Sequence, residues 1–286
     1  MSSPGTAARA PERRVVFVAD DLGVAPGIDA GIAAAAAAGN VREASLCVTG
    51  GSVESGVQLA NERGIGIGLH LSLTLGRALS GPIRGLTDRA GRFHALPRVL
   101  LACSARAVDG AAVAREIDAQ LRRLADLGVA PTHLNGHHHV HVLPVVREHV
   151  FAAARRFGVT WTRLPDELPA ARQGVSAVRC LLSRLAHGAR AAATAHGMRW
   201  LPFVGVSTEA RADFGARAQR IAGGLSFGDH EWMVHPRQLD DTLRQLDPAG
   251  YRRPSADELR TLTDPGLAAR LGITPVRYAE LAGPGG

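Results

Sequence analysis

VVFVADDLG, residues 15–23, sets a continuous, largely β-branched apolar run ahead of two adjacent carboxylates and a glycine. Such a run predicts a strand buried on both faces, as in parallel sheets. Asp20 and Asp21 then fall at the C-terminal end of that strand. Like charges this close repel, and burial raises the cost. The pair therefore needs either water, as in an ordinary turn or helix cap, or a cation.

The chain on either side of this stretch keeps the same alternation. IDAGIAAAAAAGN predicts a helix ending near Gly39, EASLCVTG a second strand, SVESGVQLANERG a second helix, and IGIGLHLSLTLG (65–76) a third strand region. Residues 77–110 are rich in Gly, Pro and Arg. They predict an irregular stretch long enough for a functional loop or lid. Val113, Ile117, Leu121 and Leu124 form a helical stripe closed by Gly128. PTHLNG predicts a short strand, and Pro144 opens a helix running through Phe157–Gly158. VTWTRLP predicts a further strand and about 175–196 a long helix; RWLPFVGVS and HEWMVHP predict late strands, followed by short helices.

Strand and helix thus alternate about seven times, which implies a parallel sheet. No Pro/Ser-rich linker interrupts it. The expectation is a single α/β domain over 13–286, an irregular (β/α) barrel with parallel strands, with an open doubly wound sheet as the alternative. Both folds put the active site at the C-terminal ends of the strands. Residues 1–12 have no apolar periodicity and no signal-peptide h-region, and are expected to form a disordered tail.

Composition narrows the function classes. The 286 residues carry a formal charge of +7, and every basic residue is arginine. The arginines are scattered or paired in helical segments and are not interleaved with aromatics, so nucleic-acid binding is not expected. The three cysteines, Cys47, Cys103 and Cys180, lack ligand spacing and suggest reduced thiols in a cytoplasmic protein. No run is long enough for a membrane span. Neither a dinucleotide fingerprint nor a G-x-S-x-G elbow is present.

Metal chemistry remains. Four of the 12 histidines lie in GHHHVH, as His137, His138, His139 and His141. Neighbours in an extended segment point in opposite directions, so one or two of them can reach a common point. His70 falls near the end of the third strand and His235 ends a late one. One carboxylate with two imidazoles leaves positions open for water and substrate. Asp21, His70 and a histidine of 137–141 would fill that set, leaving Asp20 as a base beside it.

ADDLGVAPGIDAGI, GIGLHLSLTLGRAL, PTHLNGHHHVHVLP and MVHP occur in an order and spacing that resembles the YdjC-like carbohydrate deacetylases. The resemblance covers about residues 13–165 and 230–240. It implies a metal-dependent hydrolase of barrel-like fold that removes an acetyl group from an N-acetylated amino sugar. By motif, Asp21, His70 and His137 match the metal ligands, Asp20 the general base and His235 the general acid. Arg163 in TRLPDE matches an arginine expected to contact substrate or a carboxylate. One divalent ion is implied: the donor set suits zinc, nickel or cobalt, while the family is usually assigned magnesium. Asn135 stands where many relatives have Asp, and Leu22 where an aromatic is usual. Residues 197–229 match no known pattern. The alternatives are a non-catalytic carbohydrate-binding protein on the same scaffold, or another metal hydrolase such as a phosphoesterase.

Overall fold

The run that opens the chain's first motif lies in strand β1 (Arg13–Leu22) of a computed structural model that describes residues 11–172, 176–208, 212–248 and 252–281. Six further strands occur among the described residues: β2 (Glu43–Leu46), β3 (Gly66–Leu71), β4 (Leu134–Gly136), β5 (Phe203–Val204), β6 (Gly228–Val234) and β7 (Thr274–Pro275). All pair in parallel, in the order β4-β3-β2-β1-β6-β5. β7 shares an edge of β1 with β2, pairing lower down at Arg14 and Val15. Of the expected tail, residues 1–10 lie outside the described residues.

Isolated bridges complete the ring. Leu134 pairs with Thr162, Trp161 with Arg199, and Glu167 with Phe203. The Leu134 amide donates to the Trp161 carbonyl at 2.9 Å, and the Thr162 amide to Arg199 at 2.8 Å. Backbone pairing therefore runs from β4 through residues 160–163 and 199–204 to β6 and back to β1. The expected irregular barrel is the fold. VTWTRLP, expected as a strand, is reduced to bridges because its neighbours β4 and β5 are only three and two residues long.

The helices cover the outside: α1 (Pro26–Ala37), α2 (Val53–Glu62), α3 (Leu96–Ser104), α4 (Gly110–Asp126), α5 (Pro144–Arg156), α6 (Ala177–Ala195) and α7 (Phe214–Gly224), then short helices near the C-terminus. α1 ends two residues before Gly39, whose φ of +82° suits the left-handed turn there. The stretch 77–110 is not wholly irregular, because LPRVLLACS forms α3 behind a Pro at its first turn. Among the described residues no helix is long and apolar enough to cross a membrane.

Strand alternation sorts the core into two compartments. Val15, Phe17 and Ala19 point outward into the large cluster under the helices. Val16 and Val18 point inward and join Trp161, Leu201, Val276, Tyr278 and Leu281 in a plug at the lower end of the barrel. Above that plug the interior turns polar, with Glu43, Ser45, His133, Asn135, Arg163 and Glu231 all buried. Glycines in β3 make room for this layer. A Cβ on Gly68 would sit 2.5 Å from the His133 ring, and one on Gly66 2.3 Å from the Glu43 carboxylate.

Candidate metal centre and active site

Adjacent residues of a regular strand point to opposite faces, yet Asp20 and Asp21 both line one cavity. The reason is a bulge. Ala19 pairs with Ala44 and Leu22 with Leu46, so β1 advances three residues while β2 advances two. Asp21 takes up the excess with φ of 71°, a left-handed conformation costing of order 1–3 kcal/mol in a non-glycine residue. Its carboxylate is thereby turned onto the barrel rim.

There Asp21 Oδ1 lies 3.2 Å from His70 Nε2 and 3.0 Å from His137 Nδ1. One ligand atom from each of these three residues lies within 4.8 Å of the others, a geometry able to hold a metal ion. The ring tautomers suit that role. His70 Nδ1 is 2.7 Å from Asn135 Oδ1, which can only accept, so Nδ1 carries the proton and Nε2 is left with its lone pair toward the site. Burial pushes the Asp21 carboxyl up, but the His137 and His70 imidazoles outweigh it and hold the carboxyl well below its usual range. For His70, burial lowers the imidazole while the charges of Asp20 and Asp21 raise it, with a net rise. The Asp21 carboxylate, facing only imidazoles, leaves negative charge at the rim that a divalent ion would meet.

Only His137 of the histidine cluster reaches this point. His138 and His139 have φ of 52° and 57°, and this left-handed pair turns the chain away after one ligand. His138 Nδ1 meets Thr74 Oγ1 at 3.0 Å, and His141 Nε2 donates to the Arg163 carbonyl at 2.8 Å. Burial pushes His138 and His141 down to about 3, so both stay neutral. They shape the loop.

Asp20 sits one layer deeper, 2% exposed. Arg163 grips it in a two-pronged pair, Nη1 to Oδ2 at 2.5 Å and Nη2 to Oδ1 at 3.0 Å. Ser45 Oγ and Asn135 Nδ2 also donate to Oδ1, at 3.2 and 2.9 Å. Burial would raise the Asp20 carboxyl. Arg163 above all, with His70, outweighs burial and holds it far below the usual range. The guanidinium of Arg163 also donates from Nε to Glu231 Oε1 at 2.5 Å. Its side chain has 0% exposure and does not line the cavity. Of the two contacts expected for Arg163, the structure displays the carboxylate one; full burial keeps it from touching a substrate directly.

His235 follows β6 and lines the same cavity as the triad. Its amide donates to Glu258 Oε1 at 2.6 Å, and its buried Nδ1 has no hydrogen-bond partner. The loop after β3 is pinned from α4: Gln120 exchanges two hydrogen bonds with the Ser72 backbone, and Glu116 accepts from the amides of Leu79 and Ser80. The cavity holds about 290 Å³.

Sequence reasoning missed Glu231, Ser45 and the part Asn135 plays. The signal was there as a two-residue period: Val16, Val18 and Asp20; Gly66, Gly68 and His70; His133, Asn135 and His137; Glu231, Met233 and His235. Each set lists the inward positions of one strand, ending at the rim.

The fold is thus a parallel barrel whose C-terminal rim carries an open carboxylate–bis-imidazole set able to hold a metal ion. The family model for YdjC-like proteins matches residues 14–272, and the chain belongs to that family. A human protein named carbohydrate deacetylase is 35% identical, with 95% of this chain and 91% of the human one covered. A chitooligosaccharide deacetylase from Enterobacter sp. is 32% identical over 90% of this chain and 93% of its own. A crystal structure from Enterococcus faecalis, described as a cellobiose-phosphate cleavage protein, matches with a TM-score of 0.72 at 21% identity, over 95% of this chain and 100% of that one. At that identity the match bears on fold alone.

Proposed function

We propose that this protein is a metal-dependent N-deacetylase acting on an N-acetylamino sugar or a conjugate of one. The observation that carries the reading is the convergence of Asp21, His70 and His137 beside Asp20 and His235, on a chain whose relatives are named carbohydrate deacetylases. A divalent ion held by the triad would polarise the acetamide carbonyl and lower the pKa of an adjacent water. Two imidazoles favour zinc, nickel or cobalt over magnesium for that position.

The residues of the chain divide the remaining work. Asp20 accepts a proton from the attacking water. Its pairing with Arg163 lowers its basicity but keeps it ionised and fixes its direction. The acetyl C–N bond breaks, acetate leaves with the water's oxygen, and His235 supplies the proton the departing amine needs. Arg163 acts through Asp20 as a positioning residue. The free thiols of Cys47, Cys103 and Cys180 support a reducing, cytoplasmic setting.

The test is mass spectrometry after incubating the protein, stripped of metal and then reconstituted with zinc, nickel, cobalt or magnesium, with a panel of N-acetylated sugars and glycosides. Loss of one acetyl group is expected with metal only. Asp21→Asn should abolish both bound metal and product. Product formation by the stripped protein, or no product with any metal, overturns the reading.

A further inference from the structure

Two helices extend the cavity beyond the metal end, and the faces they present are aliphatic. Leu96 and Leu100 of α3 stand one turn apart. Val178, Leu181, Leu182 and Leu185 of α6 follow the i, i+3, i+4, i+7 spacing of a single stripe. The two halves of α6 are used differently. Its C-terminal half docks through buried Ala186, Ala189, Ala192 and Ala193. The N-terminal half holds its larger side chains over the cavity without covering them. Val178 is 60% and Leu181 46% exposed, while Leu96, Leu100, Leu182 and Leu185 are half-buried. An apolar stripe of this width on a helix is normally buried against a core.

Polar groups concentrate at the barrel end, where the acetamide would sit; Arg253 also lines the cavity, and its charge reaches His138 beside that end. A sugar with its acetamide at the metal end and its glycosidic substituent directed outward would lay that substituent along the walls built by α3 and α6. A second sugar would bring hydroxyls to leucine side chains, which offer no hydrogen bonds in return for lost water. A hydrocarbon there would remove apolar surface from water on both sides.

We propose that the natural substrate is an amphipathic glycoside: one N-acetylated amino sugar at the metal end, joined to an apolar alkyl, acyl or aryl aglycone lying between α3 and α6. This rests on the deacetylase reading and narrows its substrate class.

The experiment compares methyl, butyl and octyl N-acetylglucosaminides with N,N′-diacetylchitobiose on the zinc-reconstituted protein. A fully buried methylene is worth about fourfold in affinity, so partial burial of an octyl chain should raise kcat/KM at least about tenfold over methyl. The Val178→Ser/Leu181→Ser double variant, altered only at exposed positions, should shrink the octyl-to-methyl ratio severalfold with its circular dichroism intact. A second measurement needs no turnover. Octyl glycoside below its micellar concentration should raise the Tm of the metal-free protein, and methyl glycoside should not. A flat or falling chain-length series overturns the proposal, as does a preference for diacetylchitobiose. So does faster cleavage of an N-octanoyl than an N-acetyl amide on the methyl glycoside, which would make the stripe an acyl pocket. Absence of product from every glycoside would sink the deacetylase reading instead, and the Tm shift would still decide the aglycone.

Discussion

Arg163→Met isolates what the buried guanidinium does. The side chain is fully buried and bridges Asp20 and Glu231. Methionine fills much of the volume but leaves two carboxylates facing each other without their cation. Breaking a buried ion pair in this way typically costs about 3–5 kcal/mol. For 286 residues the unfolding entropy is about 0.6 kcal/mol/K, so Tm should fall by about 5–8 °C. The loss should depend on pH, with a sign that follows from linkage. In the native protein Arg163 holds Asp20 far below its usual range, so the ionised form contributes stability above the unfolded pKa near 3.9. Without Arg163, burial dominates and Asp20 rises above its unfolded value. Ionisation then costs stability, increasingly as pH climbs. Differential scanning calorimetry at pH 5 and pH 8 is the assay, with a larger deficit expected at pH 8. Arg163→Lys keeps the charge but not the fork and should fall between. A drop under about 2 °C, or one equal at both pH values, would refute the argument that Arg163 balances buried charge.

Three further outcomes are expected. Asp20→Asn should retain metal by elemental analysis yet lose about two or more orders of magnitude in kcat; loss of the metal instead would exchange the roles of the two aspartates. His235→Ala should slow an N-acetyl sugar strongly and an activated aryl acetate much less, because a good leaving group needs no proton; equal losses would remove His235 from proton transfer. Asp29 in α1 is pushed up to about 6, by burial above all and also by Asp240, against its hydrogen bonds from Ser52 Oγ and the Gly23 amide. Its ionisation therefore costs up to about 3 kcal/mol as pH rises from about 4 to about 6. Asn mimics the neutral acid, so Asp29→Asn should flatten the fall in urea midpoint across that range, and an unchanged slope would contradict the shift.

The parallel sheet and its candidate rim were legible because strand-like runs end at Asp20–Asp21, His70, His137 and His235, residue types suited to metal or acid–base chemistry. Barrel closure was harder to read. It depends on single bridges at Thr162, Arg199 and Glu167, which leave no hydropathy period. The α3 helix was hidden in a stretch whose glycines and prolines flank LPRVLLACS rather than interrupt its middle. Glu231 passed unnoticed because an acid inside HEWMVHP looks like a solvent-facing position until the neighbouring barrel strands supply Arg163. Asn135, met as a departure from a motif, takes on meaning only when His70 and Asp20 are seen on either side of it.

The pairing of β1 has a consequence for how the chain assembles during synthesis. β1 has β2 on one edge within about thirty residues, but its other edge waits for β6, more than two hundred residues downstream. Contacts that distant slow folding, because the intervening chain must be closed into a loop. The candidate site is divided along the same line. Asp21, His70 and His137 all emerge in the first half of the chain. Arg163, Glu231 and His235 follow, the last about a hundred residues after His137. At the usual pace of translation that interval is roughly 5–20 s. A nascent chain would thus hold all three proposed metal ligands well before it possesses His235, the proposed proton donor.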